Sequence, residues 1–139
     1  MREFKFRVWD LEKKFYLNQD DEFHFYEPVC GWQCPIPLCE CLRDKKRYVV
    51  QQYTGLTDSK GNHIYEGDII KEHHFEDWGD KIGYEYIGIV VYKEYSDDIL
   101  YAGYKTIPAK NQNTKFRGNA IQSDCEVIGN IFENPELLK

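Results

Sequence analysis

Cys30, Cys34, Cys39 and Cys41 fall within one short window, and Cys125 stands alone. Four thiolates are enough to hold a tetrahedral zinc ion. The spacing is C-x3-C-x4-C-x-C, whereas zinc sites built on cysteine usually offer two close pairs separated by a longer loop. Pro35 and Pro37 also stiffen the stretch between Cys34 and Cys39. A disulfide is disfavoured in a reducing compartment. The expectation is no bound metal, with the thiols serving as small hydrophobes or as exposed loop residues.

The histidines add little. His73 and His74 precede Glu76 and Asp77 in the run HHFED, which reads as a solvated loop. Adjacent residues of an extended chain point to opposite faces, so His73 and His74 would not readily share a metal. His63 sits beside a turn and is expected to be exposed. His24 lies between Phe23 and Phe25, where it packs or caps. The chain has no P-loop, no Rossmann glycine pattern, no HExxH and no Gly-x-Ser-x-Gly. Ser59, Ser96 and Ser123 all fall in turn-like contexts. With 24 Asp plus Glu, some carboxylates lie close together by chance. Asp68 lies in the run EGDII, directly after Gly67. Its expected task is to form a turn, its side chain accepting backbone N–H groups. The reading is of a chain with no catalytic residues and no cofactor.

The elements that would position these residues are mostly strands. Phe4, Phe6 and Val8 alternate with Lys5, Arg7 and Trp9, which predicts a half-buried strand. In that strand Trp9 faces away from the apolar side, where it is either an outward interface anchor or tucked under the loop around Trp32. Residues 13–17 and 23–26 read as two short strands, and 47–53 as another. Residues 58–62 combine Asp, Ser, Gly and Asn, so a tight turn is expected with Gly61 at positive φ and Ile64 buried beyond it. Gly67 and Asp68 mark a second turn. Residues 84–95 form the longest apolar segment, and Gly88 within it suggests a bulge or bend. Residues 98–104 and 126–132 complete the strand set. Asn134, Pro135 and Glu136 resemble a helix start, with Asn as N-cap and Pro at the first helical position. No long amphipathic helix is expected anywhere.

Composition agrees with β structure. Aromatic residues make up 16% of the 139, with 11 Tyr among them. Tyr, Phe, Val and Ile suit pleated, half-buried surfaces. No stretch approaches the roughly 18 apolar residues of a membrane span. Met1 leads straight into a strand pattern with no secretory signal, so a cytoplasmic location is expected. The net charge is −6. Duplex DNA binders usually carry a basic face, because phosphate neutralisation supplies much of their affinity. Lys45–Arg47 and the looser set Lys105, Lys110, Lys115 and Arg117 are the only basic runs, and both read as solvated. Duplex binding is therefore not expected. Single strands remain a rival ligand, since Trp9, Tyr53, Tyr65, Tyr84, Tyr86, Tyr92 and Tyr95 could supply stacking rings. The plainer account of those rings is core and cross-strand packing.

Three blocks carry a family resemblance: MREFKFRVWD at residues 1–10, QYTGLTDSKGNHIYEGDII at 52–70, and EVIGNIFENPELL at 126–138. Together, and in this order, they resemble the YopX family of phage and prophage proteins. They cover roughly a third of the chain and leave the cysteine cluster outside the shared pattern. The resemblance implies a phage or prophage gene, and hence the cytoplasm of a bacterial host. It also implies an SH3-like barrel from about Tyr48 onward. It brings no established reaction with it.

The expected fold is thus mainly β: an N-terminal β subdomain over 1–47, an SH3-like barrel over 48–139 and a short helical turn at the C-terminus. The expected function is that of a non-catalytic accessory protein. It would work through contacts with a protein partner, its own copies included, with Trp9 and Tyr65 as candidate interface residues. The alternative is a small-barrel protein that binds single-stranded nucleic acid.

Overall fold

The computed structural model describes residues 4–17, 23–24, 36–74, 84–93, 103–109, 119–121 and 124–139. The chain divides into two compact units, Met1–Tyr53 and Thr54–Lys139. The division lies six residues beyond the one read from the sequence at 47/48, and it falls inside a strand.

The first unit holds β1 (Phe6–Asp10), β2 (Phe15–Leu17), β3 (Phe23–His24), β4 (Ile36–Pro37), the helix α1 (Leu38–Arg43) and the first part of β5 (Tyr48–Thr57). The antiparallel order is β2-β1-β5, with Val8 opposite both Leu17 and Val50. β3 and β4 form a two-residue parallel pair. Val8, Leu17, Leu38, Cys41 and Tyr48 make the core, with Phe6, Phe15, Ile36 and Val50 packed against it. Phe4 departs from the expected pattern. It precedes the strand and is 66% exposed.

The strand predicted over 13–17 is shortened because Asp10 organises a turn ahead of it. The Asp10 carboxylate accepts the backbone N–H groups of Glu12 and Lys13, each at 2.9 Å. Lys14 closes the turn at φ 60° and donates its N–H to the Asp10 carbonyl at 2.7 Å. Asp10 is fully buried, and the Arg47 guanidinium meets it at 3.2 Å. A buried carboxylate is tolerable only with such partners. Arg47, grouped with Lys45 and Lys46 in the sequence, is therefore a structural cation of this unit.

The sequence reading contained no helix at 38–43. The segment is one residue beyond Pro37 and only six residues long, too short to show a period. Leu38 and Cys41, three apart, share its buried side. Glu40 in the first turn and Arg43 in the last match the helix dipole. Asp44 N–H closes the helix on the Glu40 carbonyl at 2.9 Å.

The second unit takes the remainder of β5, then β6 (His63–Tyr65), β7 (Asp68–His74), β8 (Tyr84–Lys93), β9 (Gly103–Pro108), β10 (Asn119–Ala120) and β11 (Cys125–Asn130). A 3-10 turn, Pro135–Leu138, ends the chain. β7 to β10 form an antiparallel meander, and β11 returns beside β7, giving the order β10-β9-β8-β7-β11. Ile64, Ile70, Val90 and Cys125 are the core, with Tyr104, Ile121 and Val127 against it. His73 and His74 belong to β7 and not to a loop. The mainly β class expected from composition is what the chain adopts.

Gly88 corrects the expected bulge. The β8 ladder runs through it unbroken, with Gly88 opposite Ile70 on one side and Pro108 on the other. A Cβ there would meet the Thr106 side chain and stand 2.8 Å from the Ile107 carbonyl oxygen. Glycine permits close approach of neighbouring strands at this point. The irregularity lies instead in β11, between Val127 and Gly129. Asn134 also differs from expectation. Its side chain caps no helix; its Oδ1 accepts the Asn130 N–H at 3.3 Å.

Candidate interaction site

The segment of β8 from Ile87 to Val91 is apolar on both faces. The register shows how the two faces differ. Ile70, Gly88 and Pro108 lie in one row, Glu72 and Tyr86 in another, Val90 and Thr106 in a third. These rows alternate with the outward set. There Ile69, Ile89 and Ile107 form one row, Lys71 and Ile87 the next, and Val91 and Lys105 a third. Ile69 is buried, but Ile87, Ile89, Val91 and Ile107 are only half-buried. The 3-10 turn supplies Pro135 and Leu138 beside this row. Ile89, Ile107, Pro108, Ala109, Pro135, Leu138 and Lys139 line a groove of about 660 Å³. Among the described lining residues all but Lys139 are apolar.

A second, polar pocket of about 230 Å³ lies where β7 meets β11. It is lined by Glu72, His73, Glu85, Asp124, Cys125 and Glu126, together with Ser59 and Lys71. Glu72 is buried on the core face of β7 and accepts the Thr106 hydroxyl at 3.1 Å. Lys71 pairs with Glu85 at 3.4 Å, and Lys60 pairs with Glu126. Burial, then the charges of Glu72, Asp58 and Asp124, push the Cys125 thiol up to about 11, so it is a protonated and poorly nucleophilic group at neutral pH. The sequence reading missed Glu72. Its signal was the alternation from Ile70, which places residue 72 on the same inward face.

The turn residues picked from the sequence hold the β5–β6 hairpin in place. Gly61 has φ 87° and Gly67 has φ 77°, conformations that side-chain-bearing residues rarely adopt. Ile64 is fully buried, and its carbonyl accepts the Thr54 hydroxyl at 2.8 Å. Asp68 is buried and accepts the Tyr65 N–H at 2.8 Å. Asp58 does more than its turn position suggested. Oδ1 accepts the N–H groups of Lys60 and Asn62, at 2.9 and 2.8 Å. Oδ2 accepts the Asn62 side-chain amide at 3.0 Å and the Val127 N–H at 3.1 Å. Ser59 N–H adds a bond to the Cys125 carbonyl at 2.9 Å. The hairpin thereby caps part of the outer edge of β11, which would otherwise be open for pairing with another chain.

The candidate interface residues fare differently. Trp9 lies on the side of β1 opposite Val8, as alternation requires, yet it is 5% exposed. Tyr16 covers it edge-on, with ring centroids 4.8 Å apart. Trp9 is therefore covered and not an outward anchor, with Tyr16 of the paired strand packed against it. The loop around Trp32 lies outside the described residues. Tyr65 is half-buried. Tyr53 and Tyr86 are buried, while Tyr92 is 48% exposed and packs edge-on against Tyr104 at 5.3 Å. Of the cysteines, Cys41 and Cys125 are buried and Cys39 is half-buried. Cys30 and Cys34 lie outside the described residues, as do Tyr95, Lys110, Lys115 and Arg117. Among the described residues no group of three or more His, Cys, Asp or Glu could hold a metal ion. Nor is any helix among them long and apolar enough to cross a membrane.

No curated protein matches the chain. In fold it is similar to the crystal structure of protein EF1440 from Enterococcus faecalis, at 24% identity and a TM-score of 0.50, each chain covered over 100% of its length. The family model described as YopX protein matches residues 5–139, which takes in the first strand, the Asp58 hairpin, both faces of β8 and the terminal 3-10 turn. The chain belongs to the YopX family.

Proposed function

We propose that this is a non-catalytic accessory protein of a phage or prophage, acting in the bacterial cytoplasm through protein contacts, with its own copies as the first partner to test. The observation that carries the reading is the outward row of half-buried Ile89 and Ile107, opening into the groove beside Pro135 and Leu138. Large contiguous apolar patches on folded proteins mark contact sites, and this row is the apolar surface we read in that way. Filling the groove with one aliphatic side chain would contribute about 1.5–3 kcal/mol. The second unit is read as an SH3-like barrel. The meander of β7 to β10, with β11 returning beside β7, supports that reading.

The test is light scattering on the purified protein across the micromolar range, beside the variant Ile107→Asp. The expected result is an oligomer for the parent chain and a folded monomer for the variant, whose far-ultraviolet circular dichroism is unchanged. A parent chain that stays monomeric throughout that range would end the self-assembly reading. A single-strand binder is the second reading, favoured by the exposed Tyr92 ring against Tyr104 with Lys93 next to it. Salt-sensitive binding of a labelled oligothymidine, lost in Tyr92→Ala, would replace the first reading with this one.

A further inference from the structure

We draw no further inference here: the strongest candidate, the acidic pocket between β7 and β11 lined by Glu72, Glu85, Asp124 and Glu126, is a carboxylate cluster already met by Lys71, Lys60 and the Thr106 hydroxyl, and nothing in the structure points to a ligand for it.

Discussion

Replacing Asp58 by Asn tests whether the carboxylate pins the β5–β6 hairpin to β11. The change keeps the shape and removes one acceptor. Both Asp58 oxygens receive only donors: the Lys60 and Asn62 amides on Oδ1, the Asn62 side chain and Val127 N–H on Oδ2. An Asn amide, whichever way it is turned, sets an NH2 group against two of those donors. Hydrogen bonds to a charged group are worth about 1.5–3 kcal/mol each. Lys60 and Asn62 are exposed, so water replaces part of what their amides lose. The expected cost is therefore about 2 kcal/mol for Asp58→Asn and about 3 kcal/mol for Asp58→Ala. With a urea slope of about 2 kcal/mol/M, the Asn variant should lose about 1 M in its midpoint at pH 7. Burial pushes the Asp58 carboxyl up, but the Asn62 side chain and the Val127, Asn62 and Lys60 amides outweigh it and hold it below its usual value. A lowered carboxyl contributes stability above the unfolded value of about 3.9 and loses it as pH falls through the folded one. The gap between wild type and Asp58→Asn should be full at pH 7 and shrink below about pH 4. A variant within about 0.2 M of wild type at pH 7, on the slope used above, would refute the account.

Three further outcomes are expected. Gly88→Ala should destabilise by about 1–3 kcal/mol through overpacking against Thr106 and the Ile107 carbonyl. Gly103→Ala, with nothing within 4 Å of the new methyl, should be neutral or slightly stabilising; equal melting temperatures for the two variants would contradict this. Of Cys39, Cys41 and Cys125, Cys39 should alkylate first in the native protein. Burial pushes the other two thiols up to about 11, and a mass-mapped iodoacetamide time course would show any other order. The purified protein should hold no stoichiometric zinc; elemental analysis finding one per chain would overturn that and make Cys30, Cys34, Cys39 and Cys41 the ligand candidates.

What the sequence made legible was local. Gly61 and Gly67 stand where the backbone must turn through positive φ, and Asp58 and Asp68 are short acids that can reach a nearby N–H. Such signals act over four or five residues and survive any tertiary arrangement. The features that were misread depend on what lies across the sheet. Alternation correctly set Trp9 against Val8, but it is the pairing with β2 that brings Tyr16 onto it. Gly88 carried a true signal with two readings. A bulge and a close strand approach both call for a missing Cβ, and only Thr106 and Ile107 in the facing strand decide between them. Glu72 and Asp10 show the same limit. Each is a charged residue in a strand, ordinary in sequence, and each is buried because its partner comes from elsewhere in its own unit: Thr106 for the one, Arg47 for the other. The outward Ile89–Ile107 row belongs to this class as well. Its two residues are ordinary strand formers, and they make a surface only because the register sets them side by side and the 3-10 turn places Leu138 beside them. A surface built this way leaves no motif in the chain. The block at 52–70 carries the glycine turns of the hairpin, whereas the groove beside Ile89 and Ile107 lies on the sheet itself.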